Sequence, residues 1–475
     1  MSSAAIVFWV VIAVSLLLAA ASRYRIGVID LDQYLVARRN FAGPLLFFLA
    51  VGEIYSIGTM IGLPGGIYAE GTSYDMWFLD YILLAYPIGY FLGPLISRAA
   101  KKYNSLTVPD VFRSHYHSRA LEIASSLAAI GFLLGWAELN FTGLEAVFSA
   151  VGLRLTSLEM VFIAIAIAYI YIIVSGVRSN AFVAIMKDVF MIGGIAIVGI
   201  TVAVVAPGGV SHIFVAAAQH HVPSTVQGSA LTYAMTTIGM NAVAFYLGVT
   251  TFLFTARSEA TVKRTQIPMP LYMLMYPLLA FASYYAIERL PHLKVPDQAL
   301  LSIAHTVLPS WALGIVVAGA GLAGVLVLAA FSLFLGPIVS RNLIPNAPRT
   351  AQIRWVNVTI AIFLIVAAVL AAEVPTLMLN LLALAYYFEI QVVPAWLLLM
   401  FGSRVKISGA ALSVGVLAGI GMVIGLYVSG ATFYSINPGL IAVVVNVAVA
   451  IVANVVLRRV RQVAVAEPAI STVSS

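Results

Sequence analysis

Apolar runs of about twenty residues, each closed by charged residues or by Pro and Gly, recur along nearly the whole chain, which is the spacing of helices that cross a bilayer. They predict helices near 4–22, 43–69, 75–98, 120–150, 157–175, 181–206, 230–255, 266–287, 299–340, 354–372, 374–400, 406–429 and 434–457. That is about thirteen spans, and the run at 299–340 is long enough to hold a short outer helix before its span. A transmembrane β-barrel would instead alternate polar and apolar residues in segments of about ten. The fold class expected is therefore an all-α membrane protein.

Composition sharpens this picture. With 62% hydrophobic and 9% charged residues among 475 and a mean hydropathy of +1.04, the chain lies far from soluble domains, where charged residues reach about a quarter. The net charge of +7 does not point to nucleic acid, because no soluble basic face exists and membrane proteins gather Lys and Arg on the cytoplasmic side. With the N-terminus outside and the C-terminus inside, all of the 25 Lys and Arg except Arg154, Arg289 and Lys294 fall at or near the cytoplasmic face, Lys187 among them. The absence of cysteine excludes disulfides, thiolate metal sites and a cysteine nucleophile. The first run, Ala4 to Ala21, lacks a basic leader and a cleavage site before Arg23, so it is expected to be a retained helix. No connection exceeds about 25 residues, too short for a nucleotide-binding or catalytic domain. Neither an enzyme nor ATP-driven transport within this chain is expected.

Two spans carry residues that interrupt helices. The second runs Gly52-Glu53-Ile54-Tyr55-Ser56-Ile57-Gly58-Thr59-Met60-Ile61-Gly62-Leu63-Pro64-Gly65-Gly66, and the seventh holds Thr236-Thr237-Ile238-Gly239-Met240-Asn241 with Tyr246 and Gly248. Unwound backbone at mid-membrane exposes N–H and C=O groups to a solute or an ion. Residues 53–57 and 240–243 are therefore expected to be non-helical and to face each other. Spans two to six and seven to eleven then form two units of five, and an odd number of spans per unit inverts the second. The same glycines would also serve close helix packing.

Five further segments carry a family resemblance: Asp32 to Asn40, Gly62-Leu63-Pro64-Gly65, Thr107-Val108-Pro109-Asp110-Val111-Phe112, Ser175-Gly176-Val177-Arg178 with Lys187-Asp188, and Gln391-Val392-Val393-Pro394-Ala395. In this order and these topological places they resemble the sodium:solute symporter family, and the last is similar to its monocarboxylate-type members. The resemblance implies a LeuT-type core of two inverted five-helix repeats, at 43–206 and 230–400. A helix and cytoplasmic loop at 1–42 would precede it; two helices at 406–457 and a cytoplasmic tail at 458–475 would follow. It also implies alternating access, with solute bound between the broken helices and helices four, nine and eleven.

Charged groups inside a bilayer are functional candidates by default. Glu53 leads, since a carboxyl in the broken segment can carry a proton or replace a cation ligand; a hydrogen bond to the other broken helix would also account for it. Glu138 and Asn140 lie beside Trp136 in the fourth span, near the segment that the resemblance assigns to solute contact; packing or a basic partner is an equal reading for Glu138. Asp188 is placed by the resemblance on the ion exit path, and a local pair with Lys187 is the alternative. The solute-binding set expected is Glu53, Tyr55, Ser56, Trp136, Asn140, Asn241 and Tyr246. The ion-coupling set is Gly52, Glu53, Tyr55, Glu138 and Asp188. The histidines, including His115, His117, His220 and His221, form no ligand set with carboxylates, so no metal site is expected.

By resemblance a sodium ion would bind the backbone carbonyls of Gly52 and Tyr55 and a pair of hydroxyls on helix nine. Aligned on Ser340-Arg341-Asn342-Leu343, those hydroxyl positions hold Leu326 and Val327, and Ser332 is the only hydroxyl between Trp311 and Val339. Hydrocarbon does not coordinate a hard cation. The expectation is a symporter of a small organic acid, coupled to protons or uncoupled, with sodium possible and no cofactor. A sodium-coupled amino-acid symporter is the alternative; a receptor or passive channel is the alternative of another class. The partners expected are a small-molecule solute and the lipid bilayer, with no nucleic acid and no obligate protein partner.

Overall fold

The apolar runs reappear as helices in a computed structural model that describes residues 2–24, 39–153, 155–174, 177–219, 225–248, 252–344, 349–373, 377–402 and 405–466. In chain order these are α1 (Ser3–Tyr24), α2 (Gly43–Ile54), a π-helical turn (Gly58–Gly62), α3 (Leu63–Glu70), α4 (Thr72–Lys102), α5 (Val108–Tyr116), α6 (Arg119–Ala150), α7 (Ser157–Val174) and α8 (Val177–Val205). There follow α9 (Gly209–Gln219), α10 (Gly228–Leu247), α11 (Glu259–Gln266), α12 (Tyr276–Arg289), α13 (Ala299–Val307) and α14 (Ser310–Pro337), whose end continues as a second π turn (Ile338–Leu343). The last are α15 (Arg349–Glu373), α16 (Met378–Glu389), α17 (Val393–Phe401), α18 (Gly409–Ser429) and α19 (Pro438–Ala466). Among the described residues the fold is all-α. Eleven stretches are long and apolar enough to cross a membrane by length and composition, while the runs at 43–69 and 157–175 are represented by the shorter apolar helices Gly43–Gly52 and Leu158–Tyr171. The outer helix expected within 299–340 is α13.

Burial orders the spans. The most apolar window of the Ser310–Leu343 stretch is 94% buried against 17% for Pro438–Val460, so α14 is the central pillar and α19 lies at the lipid-facing edge. Around α14 pack α1, α6, α7, α8 and α15. Because the bilayer offers no hydrophobic drive between helices, such contacts rest on close packing and interhelical hydrogen bonds.

At the basic end a polar knot joins three elements. Thr107 and Asp110 form a reciprocal cap on α5, and the π turn brings Asn342 onto it: Asn342 Nδ2 donates to Asp110 Oδ1 at 2.6 Å and Glu122 Oε1 at 2.8 Å, and Asn342 Oδ1 accepts from Thr107 Oγ1 at 2.8 Å. Buried Glu122 also pairs with Arg119 at 2.6 Å and Arg113 at 3.1 Å.

Near the start of α3, Asp297 docks between helices. Its Oδ2 accepts from the Met378 N–H at 3.1 Å, capping α16, and its main chain lies against Gly65. Asp297 stands outside the spans, and burial pushes its carboxyl from 3.8 up to about 7, with the Met378 N–H pulling the other way. A pKa raised in the folded state means that the native protein holds the proton more tightly, so this group's contribution to stability is full below about pH 4 and is lost as pH rises toward 7. Asp297→Asn keeps an oxygen for Met378 and removes the charge. Its apparent melting temperature is expected to vary less between pH 5 and 8 than that of the wild type and to be higher at pH 8, by an electrostatic contribution of up to about 4 kcal/mol. Equal pH profiles in the two proteins would contradict this.

Candidate functional site

The break in the second span follows from its own residues. Tyr55 leaves the helix with φ −97° and ψ 91°. Ser56 Oγ then takes the Gly58 N–H at 3.1 Å, the competition by which serine diverts backbone donors. The Thr59 N–H goes to the Ser56 carbonyl at 3.0 Å, so the Tyr55 carbonyl has no acceptor role in the next turn. Pro64 gives no donor to the turn before it. The non-helical residues are thus 55 and 56, a narrower break than 53–57, because Glu53 and Ile54 still close α2 and Ile57 already re-enters helix. Gly52 lies in the last turn of α2 facing Ala184 of α8. Glu53 shares that turn through its backbone; its side chain lies outside the described residues, as do residues 32–38, 175 and 176 of the motifs.

The freed Tyr55 carbonyl accepts from Lys187 Nζ at 2.8 Å. Lys187 is fully buried and pairs with Asp188 Oδ1 at 2.8 Å; Asp188 Oδ2 accepts from the Tyr272 hydroxyl at 3.0 Å. The Tyr272 ring stacks on Tyr55 at 5.0 Å, and the Tyr55 hydroxyl meets that of Tyr86. A buried ion pair survives its desolvation only when further hydrogen bonds complete it, and here a carbonyl and a phenol do so. Charge counting assigns Lys187 to the cytoplasmic face; the structure places it at the break. The signal in the sequence was a lone Lys-Asp pair followed by an unbroken apolar run.

The seventh span differs from expectation. Residues 240–243 are helical, and α10 runs unbroken to Leu247. Gly239 alone does not interrupt it, because the neighbouring hydroxyls bond within the helix, Thr236 Oγ1 to the Thr232 carbonyl at 2.7 Å. The helix ends at Gly248, where a Cβ would stand 1.9 Å from Glu389 Oε1 on α16. Glu389, buried at the end of α16, thus faces the end of α10.

Four polar atoms among the solute-binding candidates have no hydrogen-bond partner among the described residues. They are Trp136 Nε1, Asn140 Oδ1, and both Oδ1 and Nδ2 of Asn241, all in buried residues. Each such group leaves about 1–3 kcal/mol of desolvation uncompensated, which a bound solute or water would recover. Asn140 Nδ2 donates to the Trp136 carbonyl one turn back, at 2.7 Å. The Trp136 ring meets Phe331 of α14 and Tyr386 of α16, and Tyr386 continues through Tyr81, Phe78 and Tyr276 to Tyr55. An aromatic path therefore links the break in α2 to the candidates on α6. Tyr246 lies on Gly89 of α4 and donates to Gln266 Oε1 at 2.5 Å, so its hydroxyl is engaged within the protein. Glu138 is buried on α6 and pairs with no cation among the described residues. On α14, Leu326 and Val327 are buried hydrocarbon.

A helical membrane fold with an unwound span beside buried charge is the architecture in which transporters build solute and ion sites. The chain belongs to the sodium:solute symporter family, whose model matches residues 34–419. It is 25% identical over 476 residues to a monocarboxylate transport permease protein of Rhizobium johnstonii, covering 95% of this chain and 96% of that one. It is 23% identical over 458 residues to the uncharacterized symporter YhjB of Bacillus subtilis, covering 92% and 93%. A solved Na+-coupled sialic acid symporter in a substrate-bound, outward-open state shares the fold at a TM-score of 0.75 and 14% identity, over 96% of this chain and 97% of that one. The protein is a multi-pass membrane symporter of LeuT-type fold.

Proposed function

We propose that the chain moves a small monocarboxylate across the cytoplasmic membrane by alternating access, coupled to protons rather than sodium. The N-terminus would lie outside and the C-terminus inside, and the two five-helix units at 43–206 and 230–400 would rock about the solute. The observation that carries the solute reading is the set of unpartnered amide and indole groups on α6 and α10: Trp136 Nε1 and Asn241 Nδ2 are donors that suit a carboxylate. The end-to-end similarity to a monocarboxylate permease supports the same class. Proton coupling is supported by acids in the spans, Glu53 in the last turn of α2 and Glu138, which pairs with no cation among the described residues.

Uptake of labelled pyruvate or lactate into proteoliposomes tests the reading. Saturation and counterflow are expected, which a pore or a receptor would not give, and uptake should persist in choline and rise as external pH falls. Asn241→Ala and Trp136→Phe, which keeps a ring against Phe331 and Tyr386, are each expected to weaken uptake about tenfold, the size of one lost hydrogen bond to a charged solute, with folded yield little changed. Normal kinetics in both variants would place the site elsewhere.

A further inference from the structure

The oxygen freed at the break in α2 does not face an open position. Lys187 Nζ stands 2.8 Å from the Tyr55 carbonyl and 2.8 Å from Asp188 Oδ1, on a side chain with no exposed surface. An ammonium is a compact point charge with three donors, and here it binds oxygens as a small cation would. The Tyr55 carbonyl is one of the two oxygens that the family resemblance assigns to sodium. The other half of that shell would have to come from α14, where Leu326 and Val327 are 3% and 1% exposed and carry no oxygen. A sodium ion therefore does not fit: one oxygen is already bound to a cation, and the two positions that the resemblance assigns to hydroxyls on α14 carry hydrocarbon side chains.

We infer that the Lys187 ammonium is a built-in cation at the break of α2, holding α2 against α8 in the place of an exchangeable sodium ion. Three elements meet at this charge: α2 through the Tyr55 carbonyl, α8 through Lys187 and Asp188, and the segment before α12 through the Tyr272 hydroxyl on Asp188. Tyr55 is fixed from its other side by the Tyr272 ring and by Tyr86. A cation tethered by its own side chain keeps the unwound carbonyl satisfied at every stage, so no ion has to enter before α2 can seat. This deepens the transporter reading and rests on it for its meaning, but its test needs no solute.

Thermal unfolding of the purified full-length protein is followed in sodium chloride and in choline chloride at one ionic strength. The wild type is expected to show no saturable, sodium-specific rise in melting temperature, and Lys187→Arg, which keeps a cation, is expected to behave the same. Lys187→Ala opens a hole between the Tyr55 carbonyl and the Asp188 carboxylate. It is expected to melt lower and to regain stability, saturably, with ammonium, methylammonium or sodium but not with choline. A sodium-specific, saturable shift in the wild type would overturn the inference whether or not any variant folds. So would a folded Lys187→Ala protein that responds to these ions no differently from choline. Should pyruvate and lactate uptake fail while the wild type stays indifferent to sodium, the solute reading falls and the tethered cation stands.

Discussion

Gly65→Ala is expected to lower the yield of folded protein sharply and to destabilise what remains by about 2–4 kcal/mol, as overpacking and a lost helix cap combine. A Cβ on Gly65 would stand 2.3 Å from Asp297 Oδ1, 2.7 Å from Asp297 Cα and 3.0 Å from its backbone nitrogen. A flexible side chain could swing aside, but a main chain held in the turn Pro296–Gln298 cannot. Moving that turn also pulls Asp297 from the Met378 N–H, so the start of α16 loses its acceptor. Gly43→Ala is the matched control, because nothing lies within 4 Å of a Cβ there. Melting temperature and size-exclusion profile read the result; a Gly65→Ala protein as stable as the control would show that α3 and the turn are not locked together.

The second large effect is expected at Glu122, where removing the carboxylate abandons two arginines and one amide at once. Arg113 and Arg119 are half to one-third exposed and can turn toward water, while Asn342 is buried and cannot. Glu122→Ala is therefore expected to cost about 2–3 kcal/mol, below the figure for a wholly buried pair. Glu122→Gln should cost less, since the amide oxygen can still accept from Asn342. Thermal melts of Glu122→Ala, Asn342→Ala and the double variant form a cycle. Additive losses would show that the knot is not one cooperative unit.

The spans were legible because hydropathy and length act residue by residue and do not depend on partners. The break at Tyr55 and Ser56 was legible for a similar reason: Ser56, Gly58 and Pro64 redirect backbone donors locally. The end of α10 was not, because Gly239 and Thr236 look like helix breakers in sequence, yet the contact that demands glycine is made by Gly248 with Glu389 on another helix. Trp136, Asn140 and Asn241 stood out as polar residues in apolar runs, and each keeps a buried atom without a partner among the described residues. Lys187 was legible as the local partner of Asp188, but not as a partner of α2, because charge counting treats a basic residue only as a marker of the cytoplasmic face. Its partner there is a main-chain carbonyl, and a carbonyl has no letter in the sequence.

The bond from Lys187 to the Tyr55 carbonyl bears on how membrane voltage acts on the transport cycle. An ion that crosses the bilayer is worked on by the full potential, about 2.3 kcal/mol per charge for each 100 mV. A cation anchored to α8 travels only as far as its helix moves, so the potential does almost no work on it. The polarised membrane then contributes little through this charge, and uphill accumulation has to be driven by whatever crosses with the solute. On the proposed reading, such a carrier would go on working in a cell whose sodium gradient had collapsed.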